Sequence, residues 1–79
     1  MGNVRDILNN VKWHGDKDIK KVKIWYLHRG APNDIKIIFG NEITSIGKSF
    51  METKTATIPY HRVLKIVYEN EVLFDRLRM

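Results

Sequence analysis

The sequence predicts an α+β fold: one amino-terminal helix packed on a strongly curled antiparallel sheet of about five strands. Three observations carry this expectation. Apolar residues near the amino terminus recur at helical spacing. Most of the remaining chain alternates with the two-residue period of strands. Clusters of Gly, Pro, Asn and Asp separate the alternating stretches.

The helix rests on Val4, Ile7, Leu8 and Val11, which share one face at i, i+3, i+4 and i+7. Asn3 is its expected N-cap, and Asp6 suits the positive end of the helix dipole. Gly15 is placed to end it, with Lys12 and His14 in or near the last turn. Trp13 is expected to close the helix onto the sheet.

A first strand runs from Lys21 to Arg29. Val22, Ile24, Tyr26 and His28 fall on one face, and Lys21, Lys23, Trp25, Leu27 and Arg29 on the other. Gly30 to Asp34 forms a loop of turn residues. Ile35, Ile37 and Phe39 alternate with Lys36 and Ile38 in a second strand ending at Gly40-Asn41, and the simplest pairing of the two is an antiparallel hairpin. Between Glu42 and Ile58 the pattern is weaker. Gly47 suggests a bulge or bend, Phe50-Met51 read as buried, and Thr53, Thr55 and Thr57 favour a strand with one wet side. Pro59 interrupts, so Pro59 to Arg62 reads as one helical turn or an edge. Val63–Tyr68 and Val72–Asp75 are strong strands around a short Glu69-Asn70-Glu71 loop, followed by a frayed tail from Arg76 to Met79.

Length and composition bound the function. The 79 residues make one domain, 1–79, with the helix inside residues 1–15 and the sheet inside 21–76. The absence of cysteine removes disulfides, thiolate catalysis and zinc–thiolate sites. A hydrophobic fraction of 43% fits a globular fold. No apolar run approaches the roughly 18 residues of a membrane span, so a cytoplasmic protein without a membrane partner is expected. The net charge of +5 favours acidic partners, nucleic acid first among them.

Chemistry concentrates in a dipeptide that occurs twice. His28-Arg29 precedes Gly30-Ala31-Pro32-Asn33-Asp34, and His61-Arg62 follows Pro59-Tyr60. Guanidinium groups offer planar forks of donors, and imidazoles add hydrogen bonds and a movable proton, a combination suited to a phosphate. Gly30 allows close backbone approach, and its neighbouring N–H groups can form an anion nest. The plainer readings are a core-facing His28, a simple turn at Gly30, and Arg62 paired with Asp34 or Glu42. Asp34 can equally orient an imidazole. Lys21, Lys23, Trp25 and Lys36 form a basic, aromatic face of the expected hairpin, able to track a phosphate backbone while Trp25 stacks a base. The plainer reading is a solvated face with Trp25 packed under a loop or the helix. His14, His28 and His61 lack the local spacing of metal ligands, and no phosphate-binding glycine loop occurs, so no metal or cofactor is implied.

Val4-Arg5-Asp6-Ile7-Leu8 with Lys12-Trp13, Tyr26-Leu27-His28-Arg29-Gly30-Ala31-Pro32, Asp34-Ile35-Lys36, Ile58-Pro59-Tyr60-His61-Arg62-Val63 and Ile66-Val67-Tyr68 together resemble a known family. It comprises small archaeal proteins carrying the RNA cyclic group end recognition domain, which also occurs fused to RNA-processing modules. The resemblance implies recognition of RNA ends bearing a 2′,3′-cyclic phosphate or a related group. Carried onto this chain, it points to His28, Arg29, Gly30, Asp34, Tyr60, His61 and Arg62. Family members often have a charged residue and glycine in the turn before the second motif. This chain has Lys54-Thr55-Ala56-Thr57 there, which leaves that loop's shape open.

Three functions compete. In the preferred one, a non-enzymatic module binds RNA 3′ ends, with Arg29 and Arg62 clamping the phosphate, His28 and His61 donating to it, and Tyr60 or Trp25 stacking. In the second, His28 and His61 are general acid and base of a small cyclic phosphodiesterase or ribonuclease, although the His-x-Thr/Ser pair of two-histidine phosphoesterases is absent. In the third, the basic face meets an acidic protein of an RNA-processing complex.

Overall fold

The computed structural model describes residues 3–13 and 15–76. The expected contribution of His14 to the last helical turn, and the tail over residues 77–79, lie outside the described residues. Helix α1 spans Val4–Trp13. Its apolar stripe is buried at Val4, Leu8 and Val11, with Ile7 partly covered. Asn3 caps it as expected: its Oδ1 accepts the Asp6 N–H at 2.9 Å, and its carbonyl accepts the Ile7 N–H at 3.0 Å. Trp13 does not close the helix onto the sheet. It is 78% exposed, because two residues beyond Val11 the helix has turned the side chain away from the stripe.

Seven strands follow among the described residues: β1 (Val22–Leu27), β2 (Ile35–Phe39), β3 (Ile43–Ile46), β4 (Phe50–Thr53), β5 (Thr57–Pro59), β6 (Val63–Tyr68) and β7 (Glu71–Asp75). They make two antiparallel sheets rather than the expected single sheet of five. One has the order β2-β1-β6-β7 and the other β3-β4-β5. The fold is α+β, and the departure comes from the region between Glu42 and Pro59. There, Gly47 N–H to Phe50 O (2.9 Å) and Thr53 N–H to Ala56 O (2.7 Å) close two tight turns, giving a small meander of its own. The three threonines therefore do not share a strand. Thr53 Oγ1 accepts the Ala56 N–H and donates to Ala56 O, both at 3.0 Å, Thr55 sits in that turn, and only Thr57 enters β5. Met51 is buried, but Phe50 is 42% exposed, since adjacent strand residues point to opposite faces.

Four strands are entered through a single 3-10 turn: Ile19–Lys21 before β1, Pro32–Asp34 before β2, Gly40–Glu42 before β3 and Tyr60–Arg62 before β6. In each, the first carbonyl accepts the N–H of the residue after the turn, which is Val22, Ile35, Ile43 or Val63. These are all β-branched and favour the extended backbone that starts a strand. The expectation of one helical turn or an edge around Pro59–Arg62 resolves accordingly. Pro59, which has no N–H for a ladder, ends β5, and Tyr60–Arg62 form the turn.

One hydrophobic cluster joins the helix to both sheets: Val4, Leu8 and Val11 meet Val22, Ile24 and Tyr26 of β1, Met51 and Ile58 of the small sheet, and Val63, Ile66 and Tyr68 of β6. β2 contributes Ile38, which faces Ile24, and turns Ile35, Ile37 and Phe39 to the other side. His28 lies beyond the end of β1 and is exposed, so it is not a core histidine. Arg76 is not frayed. Its N–H donates to Leu64 O at 2.7 Å, its Nη1 donates to the His61 carbonyl, and its guanidinium lies 5.3 Å from the Phe74 ring centroid.

The first and third 3-10 turns meet at Gly40. A Cβ there would stand 1.9 Å from the Ile19 carbonyl oxygen, so backbone has to move to admit it. Gly40→Ala is expected to cost about 3 kcal/mol, the upper part of the overpacking range, read as a lower denaturant midpoint. Alkaline pH supplies a second check. Burial raises the pKa of Tyr26, with Glu42 adding to the effect, and burial raises that of Tyr60, partly offset by Arg5. A folded-state pKa above the unfolded value means stability is intact below about pH 10 and is lost as pH rises beyond it. Denaturation curves across that range are expected to show this fall. Tyr60→Phe is expected to shrink it, and to cost about 1 kcal/mol at neutral pH by removing the bond from Tyr60 Oη to Gly47 O (2.7 Å).

Candidate functional site

The last residues of β1 and the first of β6 are neighbours, because Tyr26 faces Val63 across the ladder. The chain leaving β1 therefore emerges beside the chain about to enter β6. His28-Arg29 belong to the first segment and His61-Arg62 to the second. All four are exposed, and together with Leu27 and Asp34 they line one hollow of about 280 Å³.

The His28–Asp34 loop is tightly specified. The His28 N–H donates to Asp34 O at 2.8 Å, Ala31 N–H to His28 O at 3.2 Å, and Asp34 N–H to Ala31 O at 2.8 Å. Closing so short a path needs left-handed backbone at three positions, Gly30 (φ 94°), Asn33 (φ 58°) and Asp34 (φ 56°). Glycine adopts such angles freely, and Asn and Asp tolerate them better than other side chains. The buried Tyr26 ring meets the His28 imidazole edge-on, 6.0 Å between centroids, and steadies it at the rim. The Gly30 N–H is directed at Asp34 Oδ1 over a long 3.4 Å.

The second pair is held from three sides. Tyr60 N–H donates to Ser49 O at 3.2 Å, Tyr60 Oη donates to Gly47 O, and Arg76 donates to the His61 carbonyl. The backbone of Tyr60–Arg62 is thus fastened while the His61 and Arg62 side chains face outward. Among the described residues, no carboxylate lies within ion-pair distance of Arg29 or Arg62, so neither Asp34 nor Glu42 pairs with Arg62. Glu42 Oε2 instead accepts the Phe39 N–H at 3.2 Å. Two unpaired guanidinium groups and two imidazoles around one concavity can hold an oxyanion, and the imidazoles can exchange protons with it.

Of the residues singled out from sequence, His28, Arg29, Asp34, His61 and Arg62 come together. Gly30 lines an adjoining shallow depression behind the same loop, with Pro32 and Lys36. Tyr60 stands apart, its hydroxyl tied to Gly47 and its ring on the far side of the turn. The expected basic face needs correction. Lys23 and Trp25 share the outer face of the four-stranded sheet, but Lys36 faces Tyr26 across the ladder and so belongs to the opposite face. Lys21 precedes β1 and lies 4.0 Å from Glu69. In their place the outer face carries Leu27, Ile37 and Phe39, each 44–49% exposed, and Lys65. The Lys65 ammonium sits 5.4 Å from the Trp25 ring centroid, and that of Lys23 5.9 Å from Phe39. Sequence reasoning missed Ile37, Phe39 and Lys65. The parity of Ile35, Ile37 and Phe39 signals a shared face, but only the β1–β2 and β1–β6 registers tell which one it is.

Residues 1–76 match the MJ1316 RNA cyclic group end recognition domain. A UPF0248 protein of Methanococcus vannielii is 36% identical over 76 residues, covering 94% of this chain and 92% of the relative. One from Archaeoglobus fulgidus is 34% identical over 70 residues, covering 87% and 99%. One from Thermococcus onnurineus is 33% identical over 66 residues, covering 84% and 75%. No solved structure gives a significant match. The family match extends through both His-Arg pairs and across almost the whole chain, and the protein therefore belongs to the MJ1316 RNA cyclic group end recognition domain family, with UPF0248 proteins of archaea as its relatives.

Proposed function

We propose that this protein is a non-enzymatic RNA-binding module that grips phosphate-bearing 3′ ends, the 2′,3′-cyclic phosphate above all. The observation that carries the reading is the convergence of two sequence-distant His-Arg pairs on one hollow. Arg29 and Arg62 supply charge-assisted bonds to the phosphate, and His28 and His61 donate to its free oxygens. The long Gly30 N–H bond to Asp34 is cheap to give up, which frees that donor for a phosphate oxygen. Leu27 lines the hollow and also belongs to the outer sheet face, so bases next to the end have a surface at hand. There Trp25 and Phe39 offer rings for stacking, and Lys23 and Lys65 offer charge for the backbone. The family's name and the net charge of +5 agree with an RNA ligand.

A second reading draws on the same geometry. Both imidazoles line the hollow, so opening of the cyclic phosphate by acid–base catalysis is chemically accessible.

The test uses RNA oligonucleotides that differ only in a 2′,3′-cyclic phosphate, a 3′-phosphate or a 3′-hydroxyl. Anisotropy reports binding, and the same samples are then assayed for end-group conversion. Tighter binding of the cyclic end without conversion is expected. Conversion abolished by His28→Ala and by His61→Ala makes the protein an enzyme, and equal affinity for all three ends overturns the reading. Arg29→Ala and Arg62→Ala are each expected to weaken cyclic-end binding by about 1.5–3 kcal/mol, roughly 10- to 150-fold, with thermal stability unchanged. Trp25→Ala is expected to weaken all three oligonucleotides alike.

A further inference from the structure

A second basic concavity, of about 580 Å³, opens on the other side of the Tyr60–Arg62 turn. Its charge comes from elements far apart in sequence: Arg5 from the first turn of α1, Lys48 from the β3–β4 turn, His61 from the 3-10 turn and Arg76 from just after β7. Tyr60 and Phe74 form its aromatic wall. Among the described lining residues, none carries a side-chain carboxylate. Several of these groups are held in place. Arg76 is fixed by its bond to the His61 carbonyl and by the Phe74 ring, and Tyr60 by its bond to Gly47. Three permanent cations gathered around one concavity repel one another, and an anion entering it relieves that repulsion.

His61 lines both this concavity and the hollow shared with His28, Arg29 and Arg62. The two basic sites therefore share one side chain. We propose that the concavity of Arg5, Lys48, His61 and Arg76 is a second anion subsite that takes the phosphodiester adjacent to the bound RNA end. This rests on the RNA-end reading above. The terminal nucleotides cross the Tyr60–Arg62 turn, with His61 between two successive phosphates. The module then reads an end attached to a chain, rather than a free cyclic nucleotide or inorganic phosphate.

The test compares wild-type protein, the Arg5→Glu/Lys48→Glu variant and Arg29→Ala. Arg5 and Lys48 are exposed, and a carboxylate in the first helical turn suits the helix dipole, so folding is expected to survive. Should the charge reversal fail to fold, Arg5→Gln/Lys48→Gln takes its place. Lys20→Glu/Lys54→Glu changes net charge equally at exposed positions that line neither hollow, and so controls for long-range electrostatics. Two probes are titrated over a range of salt: an RNA hexamer with a 2′,3′-cyclic phosphate, and a 2′,3′-cyclic mononucleotide, which lacks the adjacent phosphodiester.

The Arg5/Lys48 variant is expected to lose about tenfold or more in hexamer affinity at low salt. Its slope of log K against log salt is expected to fall by about one phosphate's worth, near 0.7 for a single strand. Mononucleotide affinity and the preference for cyclic over hydroxyl ends are expected to stay as in wild type, while Arg29→Ala loses that preference. Hexamer binding and salt slope matching the Lys20/Lys54 control overturn the second subsite and leave the end reading standing. Loss of slope at Arg5/Lys48 in a protein with no cyclic-end preference supports the subsite and overturns the end reading. No RNA binding by the wild type overturns both.

Discussion

The antiparallel register between β1 and β6 is the constraint on which the rest of this structure depends. It pairs Ile24 with Ile66 at the centre of the hydrophobic cluster and Val22 with Tyr68 at one end. At the other end, Tyr26 faces Val63, with a register shift after Trp25. A slip of one residue would turn Val22, Ile24 and Tyr26 out to solvent, so core burial holds the register firmly. The same register puts His28-Arg29 beside His61-Arg62. The basic hollow is thus a by-product of the pairing that the core requires, and its exposed side chains can be changed without touching the packing.

Around that ladder, the protein reaches its geometry with little regular loop. Each of the four 3-10 turns spends three residues on reversing direction and hands the chain to a β-branched residue that starts a strand. Two of them also border the hollow. Pro32–Asp34 carries left-handed residues that fold the His28 loop back on itself, and Tyr60–Arg62 is pinned by Gly47, Ser49 and Arg76. Rigid backbone with outward side chains is the arrangement a binding site needs, because little conformational freedom remains to be lost when a ligand arrives.

The outer face of the four-stranded sheet shows a second consequence of register. β2 is an edge strand with apolar residues on both faces, and it buries Ile38 while leaving Ile37 and Phe39 half exposed. In a chain this small, exposing such a surface costs solubility unless it is used or covered. Lys23 and Lys65 lie across the neighbouring rings and give that face a mixed cationic and aromatic character.

Local signals in the sequence determined the parts that obey short-range rules. The stripe of Val4, Leu8 and Val11, the Asn3 cap, the alternation of β1 and β6 and the turn at Pro32-Asn33-Asp34 were all legible there, because helix period, capping and left-handed backbone depend on neighbours along the chain. The two His-Arg dipeptides stood out there as candidates for binding an anion, from residue type alone. The tertiary structure alone decided that the strands split into two sheets, that Trp13 and Phe50 face water, that Lys36 leaves the face of Lys23 and Trp25, and that the dipeptides meet. These outcomes turn on which strand pairs with which and in what register. Long-range burial selects among pairings that are locally equivalent, and no window of sequence contains both partners.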